Sequence, residues 1–194
     1  MKTLPVLAGL AAGCIAGCAG PIPVVDAPVA RIEAPAARAG ERWSYDEIDP
    51  YRRTVVGTLL QTAAGGAQRQ AFSAPYTKLR FPLMPGMSWS ERTEAVDAHG
   101  SVYPWRIAAR ASGWERVRTP AGEFDALRIS RTMNLGDADD GWLDTTRTET
   151  LWYAPAVNGW VRVERHDKQR EDAGRAPRNR EDWRIWELRE HVAG

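Results

Sequence analysis

Histidine and carboxylate side chains in this sequence are too scattered to indicate a catalytic or metal site. His99, His166 and His191 lie far apart along the chain. Glu164 and His166 would share one face of a strand, and such a pair begins a zinc site when a third ligand joins it. Arg165 lies between them, and no further histidine is near. The sequence therefore predicts no bound metal and no cofactor.

Acidic and nucleophilic motifs are equally incomplete. Asp137–Gly141 resembles a calcium-binding loop, but such a loop needs glycine at its sixth position and glutamate at its twelfth. Counted from Asp137, Gly141 is the fifth residue rather than the sixth, and the twelfth residue is Thr148 rather than a glutamate. The chain has no Gly-x-Ser-x-Gly, Ser-x-x-Lys or P-loop pattern, and a pair such as Glu181-Asp182 does not identify a glycosidase. We predict no catalytic residue. An uncharacterised hydrolase is therefore the weakest of three functional hypotheses, and the other two, given below, are non-enzymatic.

Tryptophan is the residue type with unusual abundance. The nine are Trp43, Trp89, Trp105, Trp114, Trp142, Trp152, Trp160, Trp183 and Trp186. Aliphatic side chains fill a core without an N–H group to satisfy, whereas tryptophan is common where an apolar surface meets water or a ligand. Alternation predicts inward positions for Trp89 and Trp105, and Trp142 lies in a polar loop. These three are the candidate ligand-binding residues; alternatively, most tryptophans cap the open edges of a curved sheet.

The N-terminal residues predict export and lipid attachment. Lys2 precedes an uncharged apolar run, Leu4–Gly17, which is shorter than the about 20 residues that cross a bilayer as a helix. Ile15-Ala16-Gly17-Cys18 resembles the lipobox of bacterial lipoproteins, which implies removal of residues 1–17 and acylation of Cys18. A second candidate ending at Cys14 is weaker. Ala19, where aspartate would imply retention at the inner membrane, implies the outer membrane and its periplasmic side.

The remaining chain divides into a tether and a folded part. Residues 18–40 carry four prolines among alanines, which predicts an extended tether that packs little. Residues 41–194 form the predicted domain. Lys and Arg number 26 against 25 Asp and Glu, and loss of Lys2 leaves the two equal. Nucleic acid needs a clustered basic surface, so the expected partners are the membrane, through the lipid anchor, and an envelope ligand or protein.

Alternation of apolar and polar residues from Glu41 onward predicts β-strands. The predicted strands are Thr54–Thr62, Met87–Ala95, Trp105–Ala111, Leu127–Met133, Thr145–Tyr153, Trp160–Arg165 and Trp183–Val192. In the last stretch, the spacing of Trp183 and Trp186 would also suit a helix. Short strands with turns between them predict an all-β domain built as one antiparallel meander.

Several motifs between Pro82 and Leu188 form a set. They are Pro82-Leu83 with Gly86 and Trp89, Gly113–Ile129 with its Pro120-Ala121-Gly122 turn, Leu151–Pro155, Gly159-Trp160-Val161 and Glu187-Leu188. In this order they resemble the TapB-like family of exported β-proteins. The resemblance implies an antiparallel sheet curved into a flattened, incomplete barrel, or half-barrel, and it carries no catalytic residue. Asn158, an insertion before Gly159, is expected to bulge the strand or widen the turn.

Two non-enzymatic functions follow from these observations. The first is a non-catalytic outer-membrane lipoprotein that faces the periplasm and binds an amphipathic envelope component on an aromatic-rich sheet face. That component would be a lipid, a glycan or a lipidated partner. The second is a structural adaptor that holds a partner protein through a strand edge or loops. A deep apolar groove would favour ligand binding, and a fully packed sheet with an exposed apolar edge would favour the adaptor.

Overall fold

Alternation of apolar and polar side chains produces strands where the sequence predicts them. The computed structural model describes residues 21–36, 38–63, 70–135, 143–171 and 178–194. Within these ranges the only regular structure besides strands is a 3₁₀ turn at Pro155–Val157, and no helix there is long or apolar enough to cross a membrane. The strands are β1 (Arg42–Asp49), β2 (Thr54–Thr62), β3 (Gln70–Ala71), β4 (Ser88–Val96), β5 (Val102–Thr119), β6 (Gly122–Leu135), β7 (Leu143–Ala154), β8 (Gly159–Glu171) and β9 (Arg178–Val192). The all-β prediction is confirmed, and the last predicted element is a strand.

The strands form one open, curled sheet in the order β2-β1-β9-β8-β7-β6-β5-β4-β3. Strands β4 to β9 are an antiparallel meander, β1 adds to β9, β2 adds to β1, and the two-residue β3 runs parallel to β4. The curl brings distant strands together. The backbone N–H of Ala121, in the turn after β5, donates to the carbonyl of Leu188 in β9 at 3.0 Å. The predicted incomplete barrel is confirmed, since the sheet does not close.

Side-chain alternation separates two faces, which we call the inner face, where the core lies, and the outer face opposite it. In β5, Trp105, Ile107 and Ala109 are buried, whereas Arg106 and Ala108 between them are exposed. Successive side chains of a strand point to opposite faces. A shift of one residue would move the whole apolar set into water, so burial of the inner face fixes the register.

The turn between β7 and β8 contains the insertion noted in the sequence. Asn158 closes the 3₁₀ turn with a φ of 49°, a left-handed conformation that asparagine tolerates. Beyond the turn, Tyr153 pairs with Trp160 but Trp152 pairs with Arg162, which leaves one extra residue in β8. The strand therefore bulges beside Asn158, as expected.

Residues 21–36 do not form the free tether that was predicted. The N–H of Val25 donates to the carbonyl of Trp114 at 3.0 Å, and Ile32 and Leu83 exchange two backbone hydrogen bonds of 2.9 Å. Ile32 is only 6% exposed. The prediction of a tether that packs little up to Gly40 is therefore wrong for this stretch.

The reason for this packing is an unequal length of neighbouring strands. β4 begins at Ser88, opposite Arg110, whereas β5 continues to Thr119. The end of β5 therefore has backbone groups that β4 does not reach, and buried backbone groups need partners. Residues 23–25 supply hydrogen bonds to Trp114 and Arg116 in this part of β5.

Candidate functional site

The structure buries two of the three tryptophans predicted to bind a ligand. Trp105 is 0% exposed and Trp89 is 8% exposed, and both belong to the core of the inner face. Trp142 and the predicted lipid-attachment residue Cys18 lie outside the described residues. Trp105 therefore offers no free ring face and Trp89 offers little, so the ligand groove predicted at these two residues does not match the structure.

Residues 72–87, between β3 and β4, cover Trp105. The ring of Phe72 lies 5.9 Å from the Trp105 ring with the planes at 61°, and the Tyr76 ring lies 6.2 Å away at 64°. The guanidinium of Arg147 stands 4.9 Å from the same indole ring. Edge-to-face rings and a cation near a ring are both favourable contacts, so the inner face here is occupied by the chain itself.

A buried ionic cluster lies beneath this covering segment. Arg147 Nε and Nη2 donate to the two carboxylate oxygens of Asp167, both at 2.8 Å. Arg131 Nη2 donates to Glu149 at 3.1 Å, and the side chains of that pair are 0% exposed. Two parallel N–H···O bonds between a guanidinium and a carboxylate are short and strong. The cluster thus joins β6, β7 and β8 across the inner face.

The arginines also hold the covering segment by its backbone. Arg147 Nη2 donates to the carbonyl of Phe72 at 2.7 Å, and Arg165 Nη1 donates to the carbonyl of Ser73 at 2.6 Å. Irregular backbone over a core needs such partners because an unpaired buried carbonyl is costly. The buried charges therefore stabilise a segment that has no strand ladder of its own.

The covering segment also donates backbone hydrogen bonds to a carboxylate of the cluster. The N–H of Tyr76 donates to both oxygens of Glu149, at 3.1 and 3.2 Å. Burial raises the pKa of the Glu149 carboxyl, and the Arg131 guanidinium opposes that shift. Burial also raises the pKa of the Tyr76 hydroxyl, which donates to Glu91 at 2.8 Å. The paired residues Arg131, Glu149, Arg147 and Asp167 are at most 3% exposed and contact one another, so we interpret the cluster as structural.

Glu164 and His166, the pair weighed as a zinc site, both lie on the outer face and both have protein partners. Arg162 Nη2 donates to Glu164 at 2.6 Å, and His166 Nε2 lies 3.4 Å from a carboxylate oxygen of Glu181. Within the described residues, no three His, Cys, Asp or Glu side chains come together in a way that could hold a metal ion.

The exposed aromatic side chains lie on the outer face, away from the predicted groove. Tyr51 is 65% exposed and Trp183 is 36% exposed, more than any other aromatic residue in the described ranges. Their ring centroids are 5.7 Å apart and the planes meet at 87°. The two rings border a cleft of about 370 Å³, which we call the Trp183 cleft. Its other polar lining residues include Thr148, Thr150, Glu164, His166 and Glu181.

Strand register positions the floor of this cleft. Thr148 pairs with His166, and His166 pairs with Trp183, so their side chains share one face in adjacent strands. The same line continues to β4, and we call it the outer row. Its members are Ser90, Ala108, Thr132, Thr148, His166 and Trp183. Five strand spacings of ~4.8 Å make the outer row about 24 Å long.

The other end of the outer row is basic. Two further clefts, of about 450 and 520 Å³, lie along it between β4 and β6. Arg92 and Arg106 line the first and Arg110 lines the second. Among the described residues, no carboxylate forms an ion pair with any of these three arginines. Unpaired guanidinium groups beside a cleft attract anions, so this end of the row favours negative charge.

Tyr51 and Trp183 were missed because the sequence does not show which tryptophans are covered. One signal was present: Trp183 and Trp186 are three residues apart, and in a strand such residues point to opposite faces. Trp186 is 1% exposed, so Trp183 had to face outward. Tyr51 lies in the turn between β1 and β2, where alternation gives no prediction.

Comparisons with protein-family models, curated proteins and solved structures find no match for this chain. The function is therefore proposed from the residues of the site itself.

Proposed function

We propose that this protein is a non-catalytic, lipid-anchored protein of the outer membrane that faces the periplasm and binds an envelope glycan in the Trp183 cleft. The observation that carries the proposal is the exposed pair of Tyr51 and Trp183 beside hydrogen-bonding side chains. This keeps the predicted binding of an amphipathic envelope component but moves it from the inner face to the outer face.

The chemistry of the cleft favours a sugar. A pyranose ring has an apolar C–H face that packs on an aromatic ring, and its hydroxyls need donors and acceptors at the edge. Trp183 supplies the ring, and Thr148, His166 and Glu181 supply the polar groups. A volume of about 370 Å³ lies in the range of ~300–1,000 Å³ that is usual for small-ligand sites.

The outer row extends the proposal to a linear and anionic glycan. Small side chains at Ser90, Ala108 and Thr132 form the floor of the basic end and leave room above the sheet there. At that end, Arg92 and Arg106 would meet carboxylates or phosphates along the chain. A chain-like ligand with acidic groups would contact both the Trp183 cleft and the basic end of the outer row, whereas a free monosaccharide is too short to reach both.

Attachment to the outer membrane is supported by the sequence alone. Ile15-Ala16-Gly17-Cys18 supplies the lipobox resemblance, and Ala19 follows the cysteine. Several acyl chains hold a protein stably at a membrane, whereas one chain holds it weakly. The absence of a catalytic role is proposed because the buried charged groups of the inner face contact each other.

Binding of two matched glycans tests this proposal by calorimetry. The first is peptidoglycan glycan strands stripped of their peptides, which carry a carboxylate on alternate sugars; the second is chitohexaose, which is neutral. We expect the first to bind more tightly and to lose affinity as salt rises, because exposed charges are screened. Trp183→Ala should weaken binding about tenfold or more, since tryptophan at a binding site often contributes that much.

Two control variants distinguish the contribution of the Trp183 ring to glycan binding from that of the arginine charges. Arg106→Ala should reduce the preference for the carboxylated chain and leave chitohexaose binding unchanged. Val102→Ala, at an exposed position in β5 that is 41% exposed, should change neither affinity. Wild-type protein that binds neither glycan, or Trp183→Ala that binds as tightly as wild type, would contradict the proposal.

A further inference from the structure

Strand β2 is an edge of the sheet and carries no charged residue. Among the strands that the structure describes, only β1 pairs with it. Val55, Val56 and Leu60 are 59%, 50% and 62% exposed. The backbone N–H and C=O groups on the free side need water or a further strand as partners. Natural edges are usually protected by charge, proline or a covering segment, and β2 is TVVGTLLQT.

The opposite edge of the described sheet is protected in those ways. The exposed edge of β4 carries Glu91, Arg92 and Glu94, and β3 pairs with its end. Residues 23–25 cover the part of β5 that extends past β4. An edge-to-edge contact between β2 and the other side of a second molecule would therefore meet charges or covered backbone. Pairing of β2 with its own copy, which gives a closed twofold dimer, avoids both.

The sequence of β2 is complementary to itself in antiparallel register. Glu47 pairs with Gly57 and Ile48 pairs with Val55, so the single irregularity of β2 lies before Gly57 and the strand is regular from there to Thr62. A twofold axis at Leu60 places Leu60 opposite Leu60 of the second copy. It also places Thr58 of each chain opposite Thr62 of the second copy.

These pairs favour association. Apolar pairs and Thr–Thr pairs directly opposite each other stabilise a sheet, and like charges there would destabilise it. We propose that two copies of this protein join through β2, antiparallel about a twofold axis at Leu60, so that the two sheets become one. The dimer covers the exposed side chain of Leu60 and leaves the Trp183 cleft of each chain on the outer face.

Single cysteines in the full-length chain test this register in the bacterial envelope. Directly opposite Cα atoms in an antiparallel pair are about 4.5–5.5 Å apart, within disulfide range. With the axis at Leu60, two copies of residue 58, or of residue 62, are about 14 Å apart, which is too far. We expect a disulfide-linked dimer from Leu60→Cys. Thr58→Cys, Thr62→Cys and the distant outer-face variant Ser90→Cys should give no more dimer than the unsubstituted chain.

A charge variant makes the test independent of cysteine chemistry. Leu60→Lys places two ammonium groups opposite each other, so the dimer fraction measured by light scattering should fall about tenfold or more. Val102→Lys, at another exposed apolar position, should leave it unchanged. Val102→Lys should melt with the unsubstituted chain, whereas Leu60→Lys should keep a single cooperative transition whose midpoint is lowered only by the loss of the dimer. A monomeric unsubstituted protein, equal cross-linking at positions 58, 60 and 62, or a Leu60→Cys cross-link only to a different protein would overturn the proposal.

Discussion

Trp105 and Trp183 are the same residue type on opposite faces of one sheet, with different contacts. Trp105 is covered by Phe72 and Tyr76, whereas Trp183 touches Tyr51 and remains 36% exposed. Strand alternation predicts that Trp105 points inward, and it does. It does not predict the covering residues, because they come from an aperiodic segment far away in sequence. The orientation of Trp105 is therefore predictable from its own strand, whereas its availability to a ligand depends on residues elsewhere in the chain.

Two arginine–aspartate pairs of similar geometry are predicted to differ in their effect on stability. Arg147 and Asp167 have side chains only 0% and 4% exposed, whereas Arg116 is 52% exposed beside Asp125. Arg147→Met leaves the buried Asp167 with only Arg165, whose Nε lies 3.6 Å from its carboxylate, so the free energy of unfolding should fall by about 3–5 kcal/mol. Arg116→Met should have little measurable effect, because water solvates an exposed carboxylate.

Urea unfolding of the two variants measures this difference. The Arg147→Met midpoint should be well below that of wild type, and the Arg116→Met midpoint close to it. Equal midpoints for the two variants would show that the inner-face cluster does not hold residues 72–87 in place.

At the scale of elements, the strands were predictable and the segments that cover them were not. β5 and β7 follow a clear period of two, so their residues could be assigned to faces from the sequence. The bulge beside Asn158 was also expected. Residues 21–36 and 72–87 are proline-containing and aperiodic, and their place depends on unpaired backbone at the end of β5 and on arginines of the inner face. Contacts with partners so distant in sequence leave no local pattern in the amino-acid sequence of the covering segments.

The packing of residues 21–36 predicts a stability effect at Ile32. Ile32→Ala removes most of a side chain that is 6% exposed, so the free energy of unfolding should fall by about 2 kcal/mol or more. Val29→Ala is the matched control, since Val29 lies in the same segment and is 42% exposed. Thermal melts report both changes. If the two variants melt together, this segment behaves as the free tether that the sequence predicts.

At the scale of the whole molecule, this packing shortens the distance between the proposed anchor and the fold. Ile22 already contacts the core, so only Ala19, Gly20 and Pro21 separate it from Cys18. Four Cα steps span about 14 Å at most. A domain held that close to the membrane would reach glycan near the membrane surface, and two domains joined through β2 would present two outer rows together.

The most direct test of glycan binding on the outer face is an NMR titration of the tryptophan indole N–H signals. The chain has nine tryptophans, and single Trp→Phe variants assign the signals of Trp89, Trp105 and Trp183. On addition of peptide-free peptidoglycan glycan strands, we expect the Trp183 signal to shift in a saturable way, while those of Trp89 and Trp105 stay in place. Shifts at Trp89 and Trp105 with an unmoved Trp183 signal would place the ligand on the inner face and contradict this account.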